Sequence, residues 1–515
     1  MGLTEKKVSL KTFLVTTALI ALLVFGVTHY IFASSTSITI EPNSFVETVE
    51  YVIVEDGGVF KAKNGTTGAV EISGTEPIPV VNNAMGNLSS GRTWKETVLI
   101  MTEIEIDHDA YQFFIPNYTI LDFNYHTLKV KDNTPYNDDY NIFQNSDNPA
   151  TDIELRNMNF DENAEGAADA WAYVFFFTNM SNSKLYNCDF RSPVMEYSVI
   201  FGGINNYVEI TYCKFEANAF DLDKPNDKLN GLVFEHNEMT DELYIRGTAH
   251  VRYNNFTGSG AAIKIFNGND SEVSNNFIHA TGWSGYLIYL IRSNRTIVNN
   301  NIVYGYGTSA GTGLLMTYQD ETLVTNNEFY NLNTGINNDE ANNTQLSSNI
   351  IRTSTYGIKL YQSDTCKVSS NNIRTATWGV YGQGSTKKSD FNSITDNKFY
   401  GEMTYGVYFD SGCRYNNIRY NYFNITGIGF NWGGTDNIVE HNIGFTTENT
   451  GTATISSSTS VVFDHELVGT PTGVWASFNS AGYNGWTWTA TATQITVTVG
   501  QSGTYEVYWQ AEYRP

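Results

Sequence analysis

The sequence predicts an all-β chain centred on a parallel β-solenoid, a stack of short coils each too small to hold a core of its own. Two recurring motifs and the composition predict it. The first motif, apolar-x-x-Asn-x-apolar, occurs at 234–239, 251–256, 273–278, 297–302, 324–329, 346–351, 368–373, 394–399 and 418–423, with a decayed copy at 439–444. Its central asparagines are Asn237, Asn254, Asn276, Asn300, Asn327, Asn349, Asn371, Asn397, Asn421 and Asn442. The second motif, Gly-apolar-x-apolar, falls between copies of the first, at 357–360, 379–382, 406–409 and 427–430. Only 16% of residues are charged, and 43 glycines and 33 tyrosines suit short strands joined by tight turns. Units of this size with strand-like alternation must stack to bury their apolar side. An asparagine recurring at one turn can form a ladder, its amide bonded to the backbone and to the next asparagine.

The elements follow in chain order. Lys6, Lys7 and Lys11 precede an uncharged apolar stretch from Phe13 to Ala33, and the flank beyond is acidic. That asymmetry keeps the amino terminus cytoplasmic and sends the rest outward. Two readings of residues 1–35 are open: a signal anchor spanning the membrane, or a secretory signal peptide cut near Ala33–Ser35. Both place the bulk at the extracellular face of the membrane or in the medium. Residues 36–96 form an entry segment, and 97–445 carry the solenoid. Upstream of the asparagine repeat, Met158, Cys188 and Cys213 stand where asparagine would be. Cys188 and Cys213 then lie on adjacent coils as stacked thiols. Residues 446–457 read as a Thr/Ser-rich linker, and 458–515 alternate as antiparallel strands, with Trp486, Trp488, Tyr505, Val507 and Trp509 in phase.

The net charge of −24 repels phosphate backbones, so no nucleic acid is expected as a partner. Four cysteines without a C-x-x-C pair exclude a disulfide scaffold and a zinc ribbon.

The Asn-centred motif followed by Gly-apolar-x-apolar resembles the right-handed parallel β-helix proteins of the pectate-lyase-like superfamily. The resemblance implies a right-handed β-helix, with residues 77–88 as an amphipathic helix capping the open core. The tail resembles the small β-sandwich modules of archaeal surface proteins and phage fibres. The superfamily includes polysaccharide lyases and glycoside hydrolases, but their catalytic signatures are absent here. Fold alone grants no activity.

In the Gly-apolar-x-apolar strand the apolar residues point inward, so the residue between them and the one after point outward. Applied coil by coil, this register yields two polar clusters separated by an apolar patch at Ile288, Leu290 and Leu315. The first cluster is Asp221, Asp223, Tyr244, Arg246 and Lys264. Asp221 and Asp223, roughly 7 Å apart on one strand, can share a calcium ion or divide acid and base roles. The neighbouring Lys or Arg could then take the C5 proton of a uronic acid. The second cluster is Asn337, Asp339, Lys359, Tyr361, Tyr381, Gln383, Tyr408 and Asp410, with Trp432 nearby. Its rings suit the flat faces of sugars, and its amides and carboxylates suit hydroxyls. Two functions follow as expectations. One is a surface adhesin or cell-envelope protein that binds polysaccharide, with a homo-oligomer open. The other is a lyase or hydrolase acting on acidic polysaccharide.

Overall fold

The computed structural model describes residues 48–513 except 107–111, 132–140, 162–172, 192–196, 217–219, 222–227, 261, 283–284, 308–310, 376, 384–387, 433–435 and 480–483. The apolar segment 1–35, expected as an anchor or signal, lies outside the described residues. Among the described residues no helix is long and apolar enough to cross a membrane.

The chain enters through an antiparallel meander of Val49–Asp56, Val59–Asn64 and Val70–Gly74. Val49–Asp56 also pairs in parallel with Glu96–Ile100, and there the parallel stacking begins. Between them lies a helix, α1 (Pro77–Gly86). A proline in its first turn fixes φ where a backbone N–H would have no partner anyway. The helix buries Ile78, Val80, Val81, Ala84 and Met85 in the same core as the first coils.

From Glu96 each coil of the right-handed solenoid crosses three faces. The first face carries the strands just before each ladder asparagine, such as Gln345–Ser347, Lys367–Ser369, Ser393–Thr395 and Asn417–Arg419. The second carries the strands just after it, such as Asn372–Arg374, Lys398–Gly401 and Tyr422–Ile425. The third carries the Gly-apolar-x-apolar strands, such as Trp378–Gln383, Tyr405–Phe409 and Ile428–Trp432. Glu328–Asp339 and Ile350–Tyr361 run unbroken from the second face to the third. Pairing is parallel and residue for residue, so like stacks on like. Leu346, Val368, Ile394 and Ile418 form one inward column, and Ile373, Phe399 and Phe423 form another. Phe399 and Phe423 stack at 4.9 Å, as do Phe190 and Phe215. That distance matches the interstrand spacing of about 4.8 Å, so a flat ring on each coil fills the core without gaps.

The asparagine ladder is present, with one correction. Asn254 donates its backbone N–H and its Nδ2 to Oδ1 of Asn276, at 3.0 and 2.9 Å, and its Nδ2 also to the Phe234 carbonyl. The same bonding continues through Asn327, Asn349, Asn371, Asn397, Asn421 and Asn442. In the coil between Asn276 and Asn327 the ladder residue is Asn301, not Asn300. Val298, not Ile297, aligns with Val273, so the motif starts one residue later than expected. Asn300 instead takes the left-handed turn conformation (φ 54°), as do His236, Tyr253 and Asn275 in equivalent positions. Asparagine tolerates that region better than most side chains. Each ladder amide supplies the bonds that a buried turn would otherwise lack. A second ladder, Asn392–Asn416–Asn437, lines the turn between the third and first faces and was not foreseen.

Cys213 heads the first ladder, its backbone N–H donating to Asn237 Oδ1 at 2.8 Å. The cysteines are buried free thiols, and burial first, then the neighbouring Cys213, pushes the Cys188 thiol up.

The tail, expected as a β-sandwich, is described as a single bent sheet. Its described residues form one four-stranded antiparallel sheet: Glu448–Asp464, Gln494–Glu512, Gly473–Phe478 and Trp486–Ala490. The first of these strands begins at Glu448, inside the segment read as the 446–457 linker. Its register breaks between Ile455 and Ser460, where Ser457 turns left-handed. The two halves of the sheet then close on one apolar side, bringing Phe463 onto Trp509 at 4.7 Å. Tyr505, Val507 and Trp509 are buried there, as the alternation of the sequence predicts.

Candidate functional site on the third face

The third face is set by its glycines. Gly357 and Ile358 both point inward, and an added Cβ on Gly357 would sit 2.5 Å from the Gly379 carbonyl oxygen. Glycine allows two successive inward positions where the next coil's backbone approaches this closely. The break in alternation turns the preceding residue outward, so Tyr356, Trp378 and Tyr405 form an outer column in register. Three residues on, Asn337, Lys359, Tyr381 and Tyr408 form a second column, and Asp339, Tyr361 and Gln383 a third.

These columns build an aromatic cluster. Tyr356 stacks on Trp378 at 4.7 Å, Tyr381 on Tyr408 at 5.4 Å, and Trp378 meets Tyr381 at 5.2 Å. Tyr405 packs edge-on to Tyr408 at 5.1 Å. The Tyr381 hydroxyl donates to the Asp410 carboxylate at 3.3 Å. Lys359 Nζ lies 5.8 Å from the Tyr356 ring centroid and 5.2 Å from that of Tyr361, over both faces. All of these rings are half-buried. Burial, then the charge of Asp410, pushes the Tyr381 hydroxyl well above the usual phenol range. Burial, then Glu340, raises the Asp339 carboxyl, which Lys359 partly offsets. Asn337 Oδ1 and Trp378 Nε1 are enclosed without a hydrogen-bond partner among the described residues.

The members of the expected second cluster whose side chains are described are therefore brought together, and the backbone of Trp432 pairs with Phe409. Tyr356, Trp378 and Tyr405 were missed, although an aromatic residue before Gly357, Gly379 and Gly406 was the available signal.

The first cluster is only partly assembled. Tyr244 pairs with Lys264, and Arg246 with Phe266. The Tyr244 ring stacks on Phe266 at 4.6 Å, and Arg246 Nη2 donates to the Tyr244 hydroxyl at 3.3 Å. Lys264 Nζ forms an ion pair with Glu242, a residue that the register argument passed over. Asp223 lies outside the described residues. The backbone of Asp221 pairs with Ile200 on the early part of this face. Among the described residues no three His, Cys, Asp or Glu side chains gather to hold a metal.

The expected apolar patch does not exist. Ile288 and Leu290 are fully buried, and Tyr289 is the outward residue, in line with Lys264 and Leu315. Leu287 takes the glycine position of this coil, and missing it slipped the register by one, which exchanges faces. Leu315 keeps its outward place but is covered, 4% exposed. Phe266 meets Tyr289 at 5.8 Å, so the outer rings run on from Tyr244 through Phe266 to Tyr289.

The family described as periplasmic copper-binding protein (NosD) matches residues 241–430. Those residues are the coils whose ladder and glycine columns are described above. The chain is a parallel β-helix. No curated protein sequence matches this β-helix. It is similar in fold to a tailspike protein of an E. coli bacteriophage in complex with a pentasaccharide, at 12% identity, with 85% of this chain and 90% of that one covered and a TM-score of 0.45. An Azotobacter vinelandii mannuronan C-5 epimerase A-module shares 12% identity over 72% of this chain and 95% of its own, with a TM-score of 0.39. A surface adhesin of Streptococcus pneumoniae shares 12% over 69% and 88%, with a TM-score of 0.34.

The copper of that family name has no fitting donor set among the described residues of this β-helix. His250 faces Glu272, and His279 packs among Phe277 and Tyr304. Cys366 is buried beneath Asn338, its thiol pushed up to about 12 by burial, whereas a cysteine binds copper as the thiolate.

Proposed function

We propose that this is an extracytoplasmic, surface-associated β-helix that binds glycan along its third face. The carrying observation is the ring cluster of Tyr356, Trp378, Tyr381, Tyr405 and Tyr408, drawn from three adjacent coils and flanked by Asp410, Lys359 and Asn337. Rings offer apolar faces to sugar C–H groups, while the flanking amide, carboxylate and ammonium take hydroxyls. The location outside the cytoplasm is supported by the periplasmic family match and by the charge pattern of residues 1–35, which serve as anchor or cleaved signal. Trp378→Ala is expected to weaken glycan binding about tenfold or more, as loss of a central aromatic anchor does. Glycan-array capture followed by calorimetry on the best ligand measures it. Equal affinity for wild type and variant would remove the third face from binding.

A second reading, a lyase acting on acidic polysaccharide, is favoured by the convergence of Tyr244, Arg246 and Lys264. It requires Lys264 to leave Glu242 when substrate arrives. Ultraviolet detection of unsaturated products from uronate polymers decides it: release by wild type and not by Lys264→Ala supports an enzyme, and no release excludes one on those substrates.

A further inference from the structure

The second face carries a feature that the third-face reading does not use. Its outer row runs His279, Tyr304, Tyr330, Arg352 and Arg374, in register on successive coils. Tyr304 and Tyr330 stack at 4.9 Å, and His279 meets Tyr304 edge-on at 6.1 Å. The neighbouring row adds Phe277 and Ile302, both more than a third exposed, and further along Lys398. In a chain of net charge −24, two arginines stand directly in line on adjacent coils, about 4.8 Å apart in backbone. Like charges so placed repel, and an anion bound across them would relieve that repulsion.

Among the described residues none supplies that negative charge. Neither Arg352 nor Arg374 makes an ion pair with any of them. The nearest carboxylate in the row behind, Glu328, is held by the Tyr330 hydroxyl at 2.5 Å. Arg352 is held over the Tyr330 ring, its guanidinium carbon 5.6 Å from the centroid. Gly401 lies against the Arg374 stem, where an added Cβ would come within 3.5 Å of its Cγ. The two forks are thus positioned by a ring and a glycine, and their charge is left for something outside.

We infer that the second face binds an anionic polysaccharide. Arg352 and Arg374 would take carboxylates of successive units, and Tyr330, Tyr304 and His279 would lie along the sugar faces. The planar guanidinium matches a carboxylate through two parallel hydrogen bonds, which a lysine cannot do. This site is separate from the third-face strip, where Asp339 and Asp410 disfavour a polyanion.

The experiment uses purified full-length protein and calorimetry with polygalacturonate fragments, neutral dextran and phosphatidylserine vesicles. Wild type is expected to bind polygalacturonate with an affinity that falls as salt rises. The Arg352→Ala/Arg374→Ala double variant should bind roughly a hundredfold more weakly, about tenfold for each charge-assisted contact. Arg352→Lys/Arg374→Lys should fall between, since charge is kept and the fork is lost. The arginine double variant should keep the third-face glycan affinity that Trp378→Ala loses, which separates the two sites. Unchanged melting of the arginine variants, whose side chains are exposed, excludes misfolding. Polygalacturonate affinity in the double variant within about threefold of wild type, equal binding of dextran, or arginine-dependent binding of vesicles alone overturns the inference.

Discussion

Asn301→Ala is expected to lower stability by roughly 3–5 kcal/mol, whereas Asn300→Gly, one residue away, should change it by less than about 0.5 kcal/mol. Asn301 accepts from the backbone N–H and Nδ2 of Asn276, and its own Nδ2 donates to Val273 O and Asn327 Oδ1. Truncation leaves those buried groups without partners, each at about 1–3 kcal/mol before relaxation. Asn300 only makes the left-handed turn, and glycine adopts that conformation freely. Chemical denaturation of the two variants side by side measures the difference. Equal losses would mean that the ladder does not pass through Asn301.

Gly379→Ala should be nearly as costly, at about 3 kcal/mol or more, and should also weaken glycan binding. The added methyl would lie 2.4 Å from the Gly406 carbonyl oxygen and 2.6 Å from the Phe399 ring. Neither is the free end of a flexible side chain, so the coil itself must shift. Trp378 precedes this glycine and Tyr381 follows it, so the shift moves both rings. Trp378→Ala separates the two effects, since a half-buried surface ring can go with little loss of melting temperature while binding falls. A Gly379→Ala protein with wild-type melting and affinity would show that this approach is looser than described.

The fold was legible because its constraint recurs. Ten copies of one motif leave few alternatives, and even where Asn300 was taken for Asn301 the neighbouring coils kept the count right. The candidate site was less legible, because outward residues obey no such repetition. Leu287 filled a glycine position without resembling glycine, so Tyr289 was placed inside and Ile288 outside. Lys264 was read as available because Glu242, two residues before Tyr244, was not brought into the same row. Trp378 and Tyr405 were overlooked because strict alternation puts them inside, and only the double inward step at each glycine turns them out. The tail shows the same limit: Tyr505, Val507 and Trp509 announced a buried side, but one bent sheet and two flat ones bury the same alternating residues.

The bonds between coils all point along the solenoid axis, and this decides how the molecule responds to load. A pull applied at one end along that axis tests a single coil's bonds at a time, while every coil behind remains paired. Releasing the coil between Asn349 and Asn371 frees 22 residues. Stretched out, they reach about 75 Å in exchange for about 4.8 Å of solenoid. The β-helix would therefore pay out chain like a spool, in steps set by turn length, and yield by lengthening rather than by breaking in one event.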